Sequence, residues 1–149
     1  MTLGLWCRIN AVFVGLNGLS AILMPDMWFT MAGLDASNAA YAAAGGLGIS
    51  VISLGLISWR TADIAGDAIS QYGKLFGIIH CLFILLALYQ MFIGLFSGGP
   101  AYFNIASSLV LAAGFFSTTG LDSLTSIFVS DLAFAPFSRI FSTIISVKN

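Results

Sequence analysis

His80 is the single histidine in a chain of 149 residues, and it lies in an almost wholly apolar stretch, GKLFGIIHCLFILLALYQMFIGLF, from Gly73 to Phe96. Neutral imidazole serves either as a hydrogen-bond partner for another helix or as an axial ligand for haem iron or chlorophyll magnesium. With one histidine, a bis-histidine haem cannot form within the chain. Cys7 and Cys81 do not complete a metal set with it, because neighbours such as His80 and Cys81 project about 100° apart on a helix. All six aspartates fall outside the apolar runs, which leaves no serine-histidine-aspartate arrangement to argue. It also removes the usual carboxylate of proton-coupled exchange, against a four-helix multidrug antiporter. His80 therefore reads first as a bond to another helix, with pigment or haem ligation as the alternative.

Other polar residues share this apolar setting. Asn10 and Asn17 lie seven residues apart, on one face of the first apolar run. Asn17, Gln90 and Asn104 fall in the outer half of their runs, with Tyr41 and Tyr102 near the same boundary. Such a cluster either joins helices or forms a pocket for a polar headgroup or a quinone carbonyl. Arg8 sits at about the depth of His80. Ionisable residues at that depth face protein or water, and arginine also reaches the interface by snorkelling.

The elements that hold these residues follow from composition. The chain is 59% hydrophobic and 7% charged, with a mean hydropathy of +1.02, where a soluble domain carries about a quarter charged residues. That is the composition of a bilayer protein. Five basic residues against six acidic ones offer no basic face, which excludes nucleic-acid binding. Two cysteines are too few for a disulfide framework and read as buried thiols. The first run lacks a basic leader and a cleavage motif, so it reads as a retained membrane segment.

A membrane helix needs about 20 apolar residues. Four stretches qualify: Leu3 to Met24, Ala39 to Trp59, Leu75 to Phe96, and Ala101 to about Thr118. The expected fold is all-α, a polytopic four-helix transmembrane bundle over residues 1–118, followed by an amphipathic tail over 119–149. Pro25 opens a short interfacial helix, PDMWFTMAG, stopped by Gly33, and Asp35, Ser37 or Asn38 caps the second span. RTADIAGDAISQYGK reads as a polar connection, and SGGP as a tight turn that makes the last two spans an antiparallel hairpin. In PFSRIFSTIISVKN, apolar residues recur at helical spacing, which suits an interfacial or partner-docking helix.

Arg8, Arg60, Lys74, Arg139 and Lys148 fall on one side of this topology, while the loops around Trp28 and Gly98 hold no lysine or arginine. The positive-inside rule then puts both termini on the cytoplasmic, stromal or matrix side. Ala42, Gly46 and Ser50 form a small-residue ladder, and Ala11 with Gly15 a shorter one, so the first two spans are expected to pack tightly.

A basic residue and glycines early in the first span, RINAVFVGLNG, precede a proline-led amphipathic loop, MPDMWFTMAGL. A small-residue second span and a basic second loop follow. Over roughly Arg8 to Phe116 this layout resembles the DoxX-like group of small bacterial four-helix membrane proteins. The resemblance implies a four-helix bundle, sometimes associated with quinone-linked oxidoreductases, and transfers no catalytic residues; the tail from Leu121 departs from the pattern.

The expected role is a non-catalytic accessory subunit of a larger, energy-transducing membrane complex, respiratory or photosynthetic, in contact with lipids and other integral membrane subunits. One alternative is a quinone- or lipophile-binding protein using Asn17, Gln90 and Asn104. The other is a pigment-binding subunit with His80 as axial ligand. The cofactors these readings bring are a chlorophyll-type pigment, a quinone or a structural lipid.

Overall fold

In hydrocarbon a segment must satisfy its own backbone, so each apolar run coils. The computed structural model describes residues 2–119, and the long elements there are α-helices. Helix α1 spans Leu3–Leu23 and ends just before Met24-Pro25, where proline restricts the preceding backbone. Pro25 occupies the first turn of α2, Pro25–Met31. Gly33, at φ +71°, ends α2 by letting the Leu34 N–H reach back to the Phe29 carbonyl. Ser37 caps α3, Asn38–Ile64, its hydroxyl accepting the Ala40 N–H at 3.2 Å. Helices α4, Ile69–Phe92, and α5, Gly98–Thr119, complete the bundle. The amphipathic helix expected in the tail over 119–149 lies outside the described residues.

The connection expected over residues 60–74 is mostly helical. Only a short 3-10 turn, Gly66–Ala68, separates α3 from α4. At 27 residues, α3 is about 40 Å long, against about 30 Å of hydrocarbon, so it continues past the bilayer core. This carries Asp63 onto the last turn of α3, and Asp26 lies in the first turn of α2. Asp63 is therefore helical where a polar connection was expected, whereas Asp26 sits in the short helix that Pro25 was expected to open. At the opposite end α4 stops at Phe92 because Gly94 takes φ +74°, and α5 starts at Gly98, before the proline.

Helices α1, α3, α4 and α5 are long and apolar enough to cross a membrane. Among the described residues these are the four spans of a multi-pass membrane protein, and side chains such as Val12, Leu16, Leu82 and Leu109 face outward to lipid. The closest pairings are α1 with α3 and α4 with α5. As α1 is followed from Gly4 through Ala11 to Gly18, its contacts on α3 run backward from Ala62 through Gly55 to Gly48, an antiparallel seam. Helix α1 runs parallel to α4, with Leu3 beside Gly73 and Asn10 bonded to His80.

The seam does not use the whole of the expected ladder. Ala11 and Gly15 do meet Gly55, but Ala42, Gly46 and Ser50 are exposed, and no atom lies within 4 Å of a Cβ placed on Gly46. Contact instead falls on Gly18 and Gly48. A Cβ on Gly18 would stand 2.6 Å from the Gly48 carbonyl oxygen. Only glycine at both positions permits backbones this close.

At the end of the bundle that carries residue 60, Arg8 Nη2 pairs with Asp63 Oδ1 at 3.0 Å, and the guanidinium lies 5.6 Å from the centre of the Trp59 ring. Both charged side chains are largely exposed, at 52% and 36%, so water weakens the pair. Arg8→Gln is expected to shift stability by no more than about 1 kcal/mol in a detergent-unfolding titration.

Candidate functional site

Where α1, α3 and α4 meet, a chain of side-chain hydrogen bonds is buried. Asn10 and Ser58 are fully buried and His80 is 3% exposed. Ser58 Oγ donates to the Cys7 carbonyl at 2.8 Å, Asn10 Nδ2 donates to Ser58 Oγ at 3.0 Å, and His80 Nε2 lies 2.8 Å from Asn10 Oδ1. The expected bond from His80 to another helix is therefore present. On α5, Phe115 lies nearly parallel to the imidazole, with ring centres 6.3 Å apart, and it also packs with Cys7 and Phe76 in the core.

The direction of each bond is fixed. A carbonyl oxygen only accepts, so the single Ser58 proton goes to Cys7. Ser58 must then accept from the Asn10 amide, which turns Asn10 Oδ1 toward His80. His80 Nε2 consequently carries the ring proton, and Nδ1 is left as a lone pair. Among the described residues no group bonds to this buried Nδ1, nor to the buried Asn104 Oδ1.

Both residues line one cavity of about 250 Å³. Its walls are mainly apolar and draw on every helix: Phe13, Val14, Asn17, Gly18 and Ala21 from α1, Trp28 from α2, Leu47 and Val51 from α3, His80 and Phe83 from α4, and Phe103, Asn104, Ser107 and Ser108 from α5. Helix α2 is tied in place beside it. Trp28 Nε1 donates to Ser20 Oγ at 3.0 Å, Ser20 donates to the Asn17 carbonyl at 2.8 Å, and the Tyr41 hydroxyl donates to Asp26.

Asn17, His80 and Asn104 thus share one cavity, whereas Gln90 does not line it. Gln90 is half-buried near the end of α4, where its backbone carbonyl accepts the N–H groups of Leu95 and Phe96. Asn17 spends an amide proton on the Phe13 carbonyl of its own helix at 2.9 Å. Sequence reasoning did not single out Ser58, Ser107 or Ser108. Ser58 was detectable, since it lies near the helix face that carries Gly48 and Gly55. A second hollow of about 540 Å³ beside the α3–α4 turn, lined by residues such as Arg60, Thr61 and Tyr72, contains neither unbonded atom.

Among the described residues, no group of three metal-ligating side chains converges. Cys7 is buried and Cys81 half-buried, both as free thiols. His80 itself is 3% exposed, with Nε2 engaged by Asn10.

Comparison with protein-family models, curated proteins and solved structures finds no match. The likeness to the DoxX-like group rests on the quoted motifs.

Proposed function

We propose that this chain is a lipophile-binding membrane protein, with the apolar cavity between its spans as the binding site and Asn17, His80 and Asn104 at its polar points. The observation that carries this reading is a mostly apolar cavity of about 250 Å³ walled by every helix of the bundle, with Asn17, His80 and Asn104 among its lining residues. A few polar groups in an apolar pocket are the usual arrangement of a small-molecule site. The cavity is the size of a head group, so an aliphatic tail would run out between helices into lipid. Both termini face the cytoplasm or its equivalent, because Arg8, Arg60 and Lys74 gather at one end of the bundle.

The test is purification from native membranes in mild detergent, followed by native mass spectrometry and analysis of the extract. The parent is expected to carry a stoichiometric apolar molecule that Ser107→Phe loses. Ser107 suits this purpose because its hydroxyl bonds only to carbonyls of its own helix, at 2.7 and 3.1 Å. Equal retention by both proteins, or no ligand on the parent, would contradict the reading.

A second reading, an accessory subunit of a larger membrane assembly, is favoured by the outward face of α3. Ala39, Ala43, Gly46, Ser50 and Ser53 make an exposed stripe of small residues at helical spacing, the kind of surface on which a neighbouring helix packs closely. Gly46→Leu would then release a co-purifying subunit on a native gel without loss of folded protein. An unchanged migration would remove this reading.

A further inference from the structure

We infer that a second, lipid-facing site, beside the turn between α3 and α4, binds the phosphate of an anionic phospholipid drawn from the leaflet around the Arg60 end of the bundle.

The site follows from how the spans pair. Helix α3 packs on α1 and α4 on α5, so the two helices joined by the Gly66–Ala68 turn leave a hollow of about 540 Å³ beside it. Ile57, Arg60, Thr61 and Ile64 bring one face of α3 to this hollow, at the spacing i, i+3, i+4 and i+7, and Tyr72 comes from the first turn of α4. Depth sorts these residues by chemistry. Leu56 and Ile57, 64% and 55% exposed, belong to the apolar run of α3, where an acyl chain covers them. Arg60 directly follows the last residue of that run, Trp59, and Tyr72 stands three residues before Leu75, where the apolar run of α4 begins. A cation and a hydroxyl donor therefore meet the membrane at head-group level. Arg60 is exposed and has no ion pair among the described residues, since the nearby carboxylate of Asp63 is held by Arg8 at 3.0 Å. Neither Asp63 nor Asp67 lines the hollow. A guanidinium presents paired N–H groups that fit two phosphate oxygens, and the Tyr72 hydroxyl can donate to a third. Basic hollows between spans at this level suit anionic head groups. A free phosphate ion would leave the apolar residues below Arg60 uncovered, so the occupant is a lipid.

The test measures binding to the delipidated full chain in detergent micelles, by microscale thermophoresis against the mole fraction of dioleoylphosphatidylglycerol or dioleoylphosphatidylcholine. The parent is expected to prefer the anionic lipid by about tenfold, the scale of one charge-assisted hydrogen bond. Arg60→Gln is expected to lose most of that preference. Lys74→Gln removes a charge at the same end but from outside the hollow, and is expected to keep it. Equal losses in the two variants would mean a diffuse attraction to the basic end and would overturn the inference. So would a parent that binds both lipids alike, or displacement of the lipid by excess inorganic phosphate.

Discussion

Gly48→Leu is expected to leave little folded protein, whereas Gly46→Leu, two residues earlier, is expected to fold at least as well as the parent. A Cβ at position 48 would stand 2.7 Å from the Gly18 carbonyl oxygen and 2.6 Å from Ile22 Cγ1. The Ile22 side chain can move. The carbonyl belongs to the backbone of α1 and cannot, so α1 and α3 must separate along their seam. Overpacking a core ordinarily costs about 1–3 kcal/mol, and here the loss extends along the closest helix pair of the bundle. Lipid offers little hydrophobic drive to close the gap again, because its chains are as apolar as the helices. At Gly46 the new side chain enters open space, and leucine improves helix propensity by up to about 1 kcal/mol over glycine. Yield of monodisperse protein and the midpoint of a detergent-unfolding titration separate the two variants. Similar midpoints would mean that the seam lies on another face of α3.

Asn10→Leu is expected to lower stability by about 1–3 kcal/mol, although leucine keeps much of the shape. The variant strands the His80 N–H in a fully buried position. Moving the proton to the other ring nitrogen only relocates the unpaired donor. Ser58 loses less, because its own proton still reaches the Cys7 carbonyl. The same change frees the choice of imidazole tautomer. Selective 15N labelling of histidine should therefore show a mixture of the two tautomers in this variant. A stable Asn10→Leu protein that keeps the proton wholly on Nε2 would show that Asn10 does not set its position.

The spans were legible because a continuous apolar run admits one solution in lipid, and the capping signals at Pro25, Gly33 and Ser37 act locally. Their ends were less so. Hydropathy marks where hydrocarbon stops, and α3 continues as a helix beyond that point to Ile64. The packing face was misread for a related reason. Ala42, Gly46 and Ser50 repeat every four residues, but the seam uses Gly4, Ala11 and Gly18 against Ala62, Gly55 and Gly48, both spaced by seven. A seven-residue repeat stays on one side over a whole span, as a near-antiparallel helix pair requires. Both series were present in the sequence, and only the second runs the length of both helices.

Part of the site could be anticipated in the same way. Depth counting placed His80 near Arg8, two residues before Asn10, and Asn17 near Asn104, because rise per residue is constant in a helix. Rotation about the helix axis is not given by depth, which is why Gln90 was grouped with a cavity it does not line. The bond from Asn10 to Ser58 was also out of reach, since it depends on how closely α1 and α3 approach.

With one histidine in the chain, selective 15N labelling of histidine reports a single imidazole, which makes its spectrum in lipid the most direct measurement available. The expected spectrum has a protonated Nε2, held by Asn10 Oδ1, and a bare Nδ1. A proton on Nδ1 with a bare Nε2 would contradict the direction of the buried hydrogen bonds from His80 through Asn10 and Ser58 to the Cys7 carbonyl.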